Sequence, residues 1–151
     1  MFIFAYGSNM DPVQMRQRCP GAQTAGTAVL RDHRLCFPRL SDRRGCGVAS
    51  VEPAVGDEVW GVLYRLDAAD LAELDGFEGF GAGRPARDNR YNRLAIVVEV
   101  EGVPTEAEAY FAVATENPPA PNAVYLAHLR DGARHHGLPE TYRAFLEELQ
   151  F

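Results

Sequence analysis

The order of strand-like and helix-like segments along the chain limits its fold more than any other feature. A first strand and a short helix are followed by four strands in succession, one helix, a hairpin and two final helices. A doubly wound parallel sheet needs strands that alternate regularly with helices. The order therefore argues against that fold and predicts an α+β domain with a mostly antiparallel or barrel-like sheet.

The N-terminal half supplies most of the predicted strands. Residues 2–6 are apolar on both faces, which predicts a buried strand. Gly7, Ser8 and Asn9 end it, and Asp11 with Pro12 starts a helix to about residue 18. Four further strands are predicted at 24–30, 33–37, 47–52 and 58–64, with a polar loop at 39–45.

The C-terminal half mixes helices with one hairpin. Asp67 begins a helix that Gly76 and Gly79 fray or stop, and 79–89 is predicted as a loop. A hairpin turns at Gly102. The last two helices are predicted at 122–136 and from residue 139 onwards.

Length and charge narrow the classes of function. The chain has 151 residues, so we expect one domain spanning 1–151. All 15 of its Lys and Arg residues are Arg, which excludes Schiff-base lysine chemistry and the P-loop lysine. The net charge of −6, without a basic run, argues against a nucleic-acid partner.

Cysteine and histidine usage indicates neither metal nor disulfides. The 3 cysteines lack a CxxC pair and the 4 histidines lack an HExxH pair, so we expect no metal and no cofactor. The N-terminus has no cationic region, and its apolar run stops within six residues. We therefore expect no signal peptide, no membrane span and a cytoplasmic location.

The first candidate site is the segment Tyr6, Gly7, Ser8, Asn9. Glycine at a strand end lets successive backbone N–H groups point into one concavity, which suits a carboxylate or a developing oxyanion. A simple strand-to-helix turn capped by Asn9 or Asp11 is the alternative. Ser8 is predicted to bond rather than attack, because Met10 breaks the G-x-S-x-G pattern and no His–Asp pair is placed to activate it.

The second candidate is Glu78, which stands between Phe77, Gly79 and Phe80. A carboxylate held among aromatic rings loses hydration, so its pKa rises toward the range useful for proton transfer. The alternative is an exposed glutamate in a turn. Asp75, three residues earlier, is expected to be solvated or to cap the helix.

Four arginines follow at every third position: Arg84, Arg87, Arg90 and Arg93. They could hold an anionic substrate at the mouth of a pocket. The alternative is a solvated loop that balances an acidic protein.

Four blocks in the same order resemble the γ-glutamylcyclotransferase family nearly end to end. The blocks are Phe4 to Asn9; Gly56 to Val62; Leu74-Asp75 with Glu78-Gly79; and Gly132 to Arg134 with Gly137 to Pro139 and Tyr142. Two stretches depart from the family pattern, namely the arginine-rich loop before Tyr91 and residues 114–116. Both lie where a leaving group would be held.

The resemblance implies a small mixed β-barrel with helices around it. It also implies a cofactor-independent enzyme of the transferase or lyase type, in glutathione metabolism, that cyclises a γ-glutamyl group to 5-oxoproline and releases an amine. Its only implied partner is the small-molecule γ-glutamyl substrate. The family's roles fall on Glu78 as general acid and base, and on Tyr6, Gly7, Ser8, Asn9, Tyr91 and Tyr110 as substrate-binding residues.

Two alternatives stay open at this point. One is removal of a γ-glutamyl protecting group from a biosynthetic intermediate. The other is a non-catalytic module that binds γ-glutamyl compounds. Glu78 speaks against the second, because a pure binder of an anion gains nothing from a buried carboxylate.

Overall fold

The computed structural model describes all 151 residues, and its centre is a closed five-stranded barrel. The strands are β1 (Phe2–Ala5), β2 (Gln23–Ser41), β3 (Cys46–Arg65), β4 (Tyr91–Val100) and β5 (Val103–Ala112). The helices are α1 (Pro12–Arg18), α2 (Ala68–Glu78), α3 (Ala123–His136) and α4 (Glu140–Glu147). Two short 3-10 turns lie at Ser8–Met10 and Ala86–Asp88.

The barrel order is β1-β3-β2-β4-β5. Its long pairings are antiparallel, and β1 closes the ring by pairing in parallel with β5, where Ile3 lies opposite Glu108. The predicted α+β class is thus confirmed. The alternation of strands and helices is irregular because two of the four connections between successive strands, β2–β3 and β4–β5, are hairpins without a helix.

The prediction of four separate strands between residues 24 and 64 was wrong. The chain forms two long strands, β2 and β3, joined by a turn at 42–45. The pairing shifts at three irregular points, between Thr24 and Gly26, between Arg31 and His33, and between Cys36 and Arg39. Bulges of this kind bend a strand without ending it, so residues that resemble strand breakers lie inside continuous strands.

Local signals fixed the helix boundaries well. Asp11, Asp67 and Asn122 each accept a backbone N–H of the first turn of their helix, as predicted. Gly137 ends α3 in the left-handed conformation, with φ 67°. Gly76 is a correction, since α2 continues through it and ends only at Gly79.

One continuous apolar core joins the barrel interior to α3 and α4. Phe4, Val62 and Leu63 supply it from the strands, and Leu126 and Leu146 from the helices. None of the helices is long and apolar enough to cross a membrane.

Candidate active site

Glu78 is the last residue of α2 and its side chain is largely buried, so the alternative of an exposed glutamate in a turn was wrong. Gly79 follows in the left-handed conformation, with φ 70°, and its N–H returns to the carbonyl groups of Asp75 and Gly76. A residue without Cβ adopts this conformation at no steric cost. The helix therefore stops immediately after Glu78, at the edge of the barrel.

The Glu78 carboxylate is held by two donors from the N-terminal segment. Its Oε1 accepts the Asn9 side-chain amide at 2.8 Å and lies 3.5 Å from the Arg18 guanidinium. The Glu78 side chain is 14% exposed and that of Arg18 is 8% exposed. The Arg18 guanidinium also donates to Asn9 Oδ1 at 3.1 Å, so the three side chains form one network.

Burial raises the pKa of Glu78, while Arg18 and the hydrogen bond from Asn9 hold the rise back. The source of the burial differs in part from the prediction. Phe77 is 43% exposed and stacks on Arg18 rather than enclosing the carboxylate. Neither Phe77 nor Phe80 lines the hollow beside Glu78, whose aromatic lining consists of four tyrosines and Phe4.

The predicted amide segment follows β1 directly and forms the first 3-10 turn. Backbone N–H groups of Met10 and Asp11 donate to the carbonyls of Gly7 and Ser8, at 3.1 and 3.0 Å. The N–H groups of Gly7, Ser8 and Asn9 donate none of the backbone bonds made outside helices and strands. Gly7 lies outside every helix and strand, so its N–H is free for a bound group, and the N–H groups of Ser8 and Asn9 follow it on the same turn.

All seven residues predicted for the site line one small hollow of about 40 Å³: Tyr6, Gly7, Ser8, Asn9, Glu78, Tyr91 and Tyr110. The hollow adjoins a larger cavity of about 270 Å³. Ser8, Glu78, Tyr91 and Tyr125 line both spaces. The carboxylate therefore stands at the boundary between a narrow and a wide compartment.

The phenol O–H groups of Tyr6, Tyr91 and Tyr110 around the hollow all donate hydrogen bonds to acceptors of the protein itself. Tyr91 donates to the Ala49 carbonyl at 2.7 Å, Tyr110 to Asp75 at 2.6 Å, and Tyr6 to the Tyr110 carbonyl. Burial raises the pKa of all three hydroxyls, so they stay protonated. They shape the hollow and fix the strands around it.

Ser8 has no partner that would activate it as a nucleophile. Its Oγ accepts the Gln14 amide at 2.9 Å and lies 3.3 Å from the Arg44 guanidinium. Neither a histidine nor a carboxylate bonds to it. The arrangement agrees with the prediction that Ser8 serves as a hydrogen-bonding residue.

Several residues of the site were missed or misjudged from the sequence. Asp75 was expected to be solvated or capping, yet it is partly buried, accepts Tyr110 and pairs with Arg93 at 2.9 Å. Gln14 and Arg18 lie four positions apart on α1, a spacing that puts both on one helix face and was the available signal. Tyr125 accepts the Ala49 N–H at 2.9 Å, and no local pattern pointed to it.

The four regularly spaced arginines do not act together. Only Arg90 lines the larger cavity. Arg93 is ion-paired with Asp75 and Glu108, and Arg84 donates to the Gly79 carbonyl. Arg87 is exposed. No group of three or more His, Cys, Asp or Glu side chains is arranged to hold a metal ion.

Comparison with known proteins gives a consistent result. The model of the family "Gamma-glutamyl cyclotransferase, AIG2-like" matches residues 3–128. The chain is 30% identical over 156 aligned positions to "Gamma-glutamylcyclotransferase" of Mus musculus, covering 97% of this chain and 77% of the mouse protein. The identity to the protein of the same name from Homo sapiens is also 30%, with the same coverage.

Solved structures agree with the fold. A structure described as "Gamma-glutamyl cyclotransferase" superposes with a TM-score of 0.89 at 28% identity, covering 99% of this chain and 88% of the other. YkqA from Bacillus subtilis superposes with a TM-score of 0.76 at 23% identity, covering 99% of this chain and 55% of that one. At that identity the second likeness concerns the fold alone.

Proposed function

Because the chain belongs to the gamma-glutamyl cyclotransferase, AIG2-like family, we propose that it cyclises the γ-glutamyl group of a γ-glutamyl amino acid, peptide or amine to 5-oxoproline, with Glu78 carrying the protons. The chain is an enzyme of the γ-glutamylcyclotransferase type. The same-named relatives favour catalysis over a module that only binds. The 5-oxoproline product and the residue roles are our proposals.

The reaction uses a nucleophile supplied by the substrate. The α-nitrogen of the γ-glutamyl group forms a bond to its own γ-carbonyl carbon, and the bond from that carbon to the leaving nitrogen breaks. The α-ammonium starts with three protons and the lactam nitrogen keeps one. Two protons therefore pass to the leaving nitrogen, which departs as an ammonium.

Glu78 is the proposed carrier of those protons. A single desolvated carboxylate can take a proton from the α-ammonium and return one to the leaving amine. Its raised pKa lies closer to the pKa values of the nitrogen groups with which it exchanges protons. Arg18 and Asn9 keep the ionised form of Glu78 available. No activated serine, cysteine or lysine is needed, in agreement with the contacts of Ser8.

The free amides of the first 3-10 turn are the proposed site for developing negative charge. Attack turns the γ-carbonyl oxygen into an oxyanion, which preorganised N–H donors stabilise in a site shielded from water. The γ-glutamyl group is too large for the hollow of about 40 Å³ alone, so it lies at the boundary with the larger cavity, folded so that amine and carbonyl meet, which is an orientation effect. The leaving group then extends into the larger cavity.

One observation supports this proposal most strongly: the Asn9 side chain fixes the Glu78 carboxylate at 2.8 Å. Asn9 also contributes one of the three consecutive backbone N–H groups that we propose for the oxyanion. The turn that carries the N–H donors for the oxyanion therefore also holds Glu78, the proton carrier, through the side chain of Asn9.

The test is the Glu78→Gln variant, assayed for 5-oxoproline released from γ-glutamyl-alanine. Loss of the carboxylate should lower kcat by about 10²–10⁴-fold. Glu73→Gln changes an exposed glutamate of the same helix and should retain wild-type turnover. Near-normal turnover by folded Glu78→Gln would refute the role of Glu78, and no 5-oxoproline from the wild-type enzyme with any γ-glutamyl compound would refute the reaction.

A further inference from the structure

The larger cavity beside Glu78 carries an excess of positive charge in a chain whose net charge is −6. Its lining contains five arginines and two acidic side chains, Asp42 and Glu78. The arginines are Arg18, Arg39, Arg43, Arg44 and Arg90. We call this space the arginine-lined cavity.

Four of these five arginines have no acidic partner. Arg39 donates to the Val113 carbonyl at 2.9 Å, Arg90 to the Phe77 carbonyl at 3.2 Å, and Arg44 to the Gln14 side-chain oxygen at 2.7 Å. These acceptors are all neutral. Arg43 makes no hydrogen bond to the protein, and only Arg18 pairs with a carboxylate, that of Glu78.

Ion pairs with carboxylates are more frequent among the ten arginines outside the cavity, where five have such a partner. Arg31, Arg34, Arg93, Arg130 and Arg134 each lie within 4.0 Å of a carboxylate. The chain has more carboxylates than arginines, so carboxylates are available for such pairs. Four unpaired guanidinium groups around one space are therefore what distinguishes this cavity, and an anionic ligand would supply the partner that the protein does not.

The positions of two cavity arginines are fixed before any ligand arrives. Arg44 stacks on the Tyr125 ring, 5.1 Å from its centroid, and Arg18 stacks on Phe77 at the same distance. Burial and the nearby positive charges of Arg43 and Arg44 lower the pKa of Arg18, although Glu78 opposes that shift. An anion in the cavity relieves this repulsion.

We propose that the arginine-lined cavity selects γ-glutamyl substrates whose leaving amine carries at least two negative charges, as an acidic amino acid does. The inference rests on the proposed function, which places the leaving group here. The α-carboxylate of a leaving amino acid can accept two N–H bonds from one guanidinium group. The remaining unpaired arginines call for a second anionic group on the side chain of the leaving amine.

The direct test compares γ-glutamyl-aspartate with γ-glutamyl-asparagine. The two substrates have nearly the same shape and differ by one negative charge. We expect kcat/KM to be about tenfold higher for the aspartate, since partly exposed ion pairs contribute modestly and more than one arginine is available. Raising the salt concentration should narrow that ratio, because it screens exposed charges.

Arg43→Gln assigns the preference to the cavity. Arg43 is exposed and bonds to nothing in the protein, so its loss should leave folding unchanged, while the aspartate-to-asparagine ratio of kcat/KM falls to roughly threefold. Arg39→Gln is a second variant from the same lining. Arg87→Gln, an exposed arginine outside the cavity, should keep the full ratio.

The outcomes separate this inference from the proposed function. Equal kcat/KM for the two substrates overturns the selectivity, and so does a ratio that neither Arg43→Gln nor Arg39→Gln reduces. A ratio that falls equally in Arg87→Gln assigns the effect to net charge and overturns the role of the cavity. Absence of 5-oxoproline from both of these substrates and from γ-glutamyl-alanine overturns the proposed function instead.

Discussion

At the scale of single residues, one carboxylate oxygen of Glu78 accepts a hydrogen bond from the Asn9 side chain and forms an ion pair with Arg18. Opposing effects act on its pKa, since burial raises it and the two donors lower it. Removing burial alone would leave the two donors to lower the pKa and make the carboxylate a weaker base, and removing the donors alone would favour the protonated form. The combination keeps a base in a space that is largely closed to water.

Arg18 is therefore expected to set the pH range in which Glu78 acts. Arg18→Gln removes the positive charge that lowers the pKa of Glu78, so that pKa should rise. The base form would then appear only at higher pH, and the acidic limb of the kcat/KM profile should move to higher pH. The measurement is the pH dependence of 5-oxoproline release.

Arg16→Gln is the matched control, because Arg16 is exposed on the same helix. Its profile should coincide with that of the wild-type enzyme. An acidic limb that stays in place in Arg18→Gln, or moves to lower pH, would show that Arg18 does not tune Glu78. A purely structural role would lower the rate equally at all pH values.

The identity of the candidate site residues was easier to predict from the sequence than the contacts between them. Glu78 was predicted from its aromatic neighbours and from the resemblance, yet the rings that share its hollow come from distant positions, four tyrosines and Phe4. Arg18 was missed because nothing local says that a charged residue on α1 faces a carboxylate 60 positions away. Asp75 was misjudged for the same reason, since its partners come from β4 and β5.

At the scale of secondary structure, each element end was predictable where a short-range signal existed. Asp11, Asp67 and Asn122 cap helices through bonds to residues two or three positions away. The long strands β2 and β3 were not predictable as units. Their continuity depends on pairing with each other across three register shifts, which no local pattern records.

The packing of α3 against the first 3-10 turn depends on Gly132. A Cβ at this buried position would lie 2.5 Å from Met10, including its backbone carbonyl carbon. Gly132→Ala should therefore push the helix from the turn, lower stability by about 1–3 kcal/mol and reduce activity through the displaced amides. Thermal unfolding and 5-oxoproline release measure the two effects.

Gly83→Ala is the control for that substitution. A Cβ at Gly83 meets nothing within 4 Å, and the residue lies in an exposed loop. We expect its stability to stay within about 0.5 kcal/mol of the wild-type value. Equal stability of Gly132→Ala and Gly83→Ala would contradict the close contact between α3 and the turn.

At the scale of the whole molecule, barrel closure assembles the site from segments far apart in the chain. The N-terminal strand β1 pairs with both β3 and β5, and the β2–β3 hairpin end carries Arg39, Arg43 and Arg44 to the cavity. We propose that residues 1–151 form one domain, because β1, α2 and α3 complete the same hollow. Such long-range placement follows from strand pairing, and the sequence alone does not specify it.

The central claim is that Glu78 faces a γ-glutamyl group bound on the free amides of Gly7, Ser8 and Asn9. Its most direct test is a crystal structure of Glu78→Gln with γ-glutamyl-alanine. We predict an oxygen of the γ-glutamyl group within hydrogen-bond distance of those amides, and its α-nitrogen within about 3.2 Å of the residue 78 side chain. A substrate bound away from the first 3-10 turn, or with its α-nitrogen out of reach of residue 78, would contradict the account.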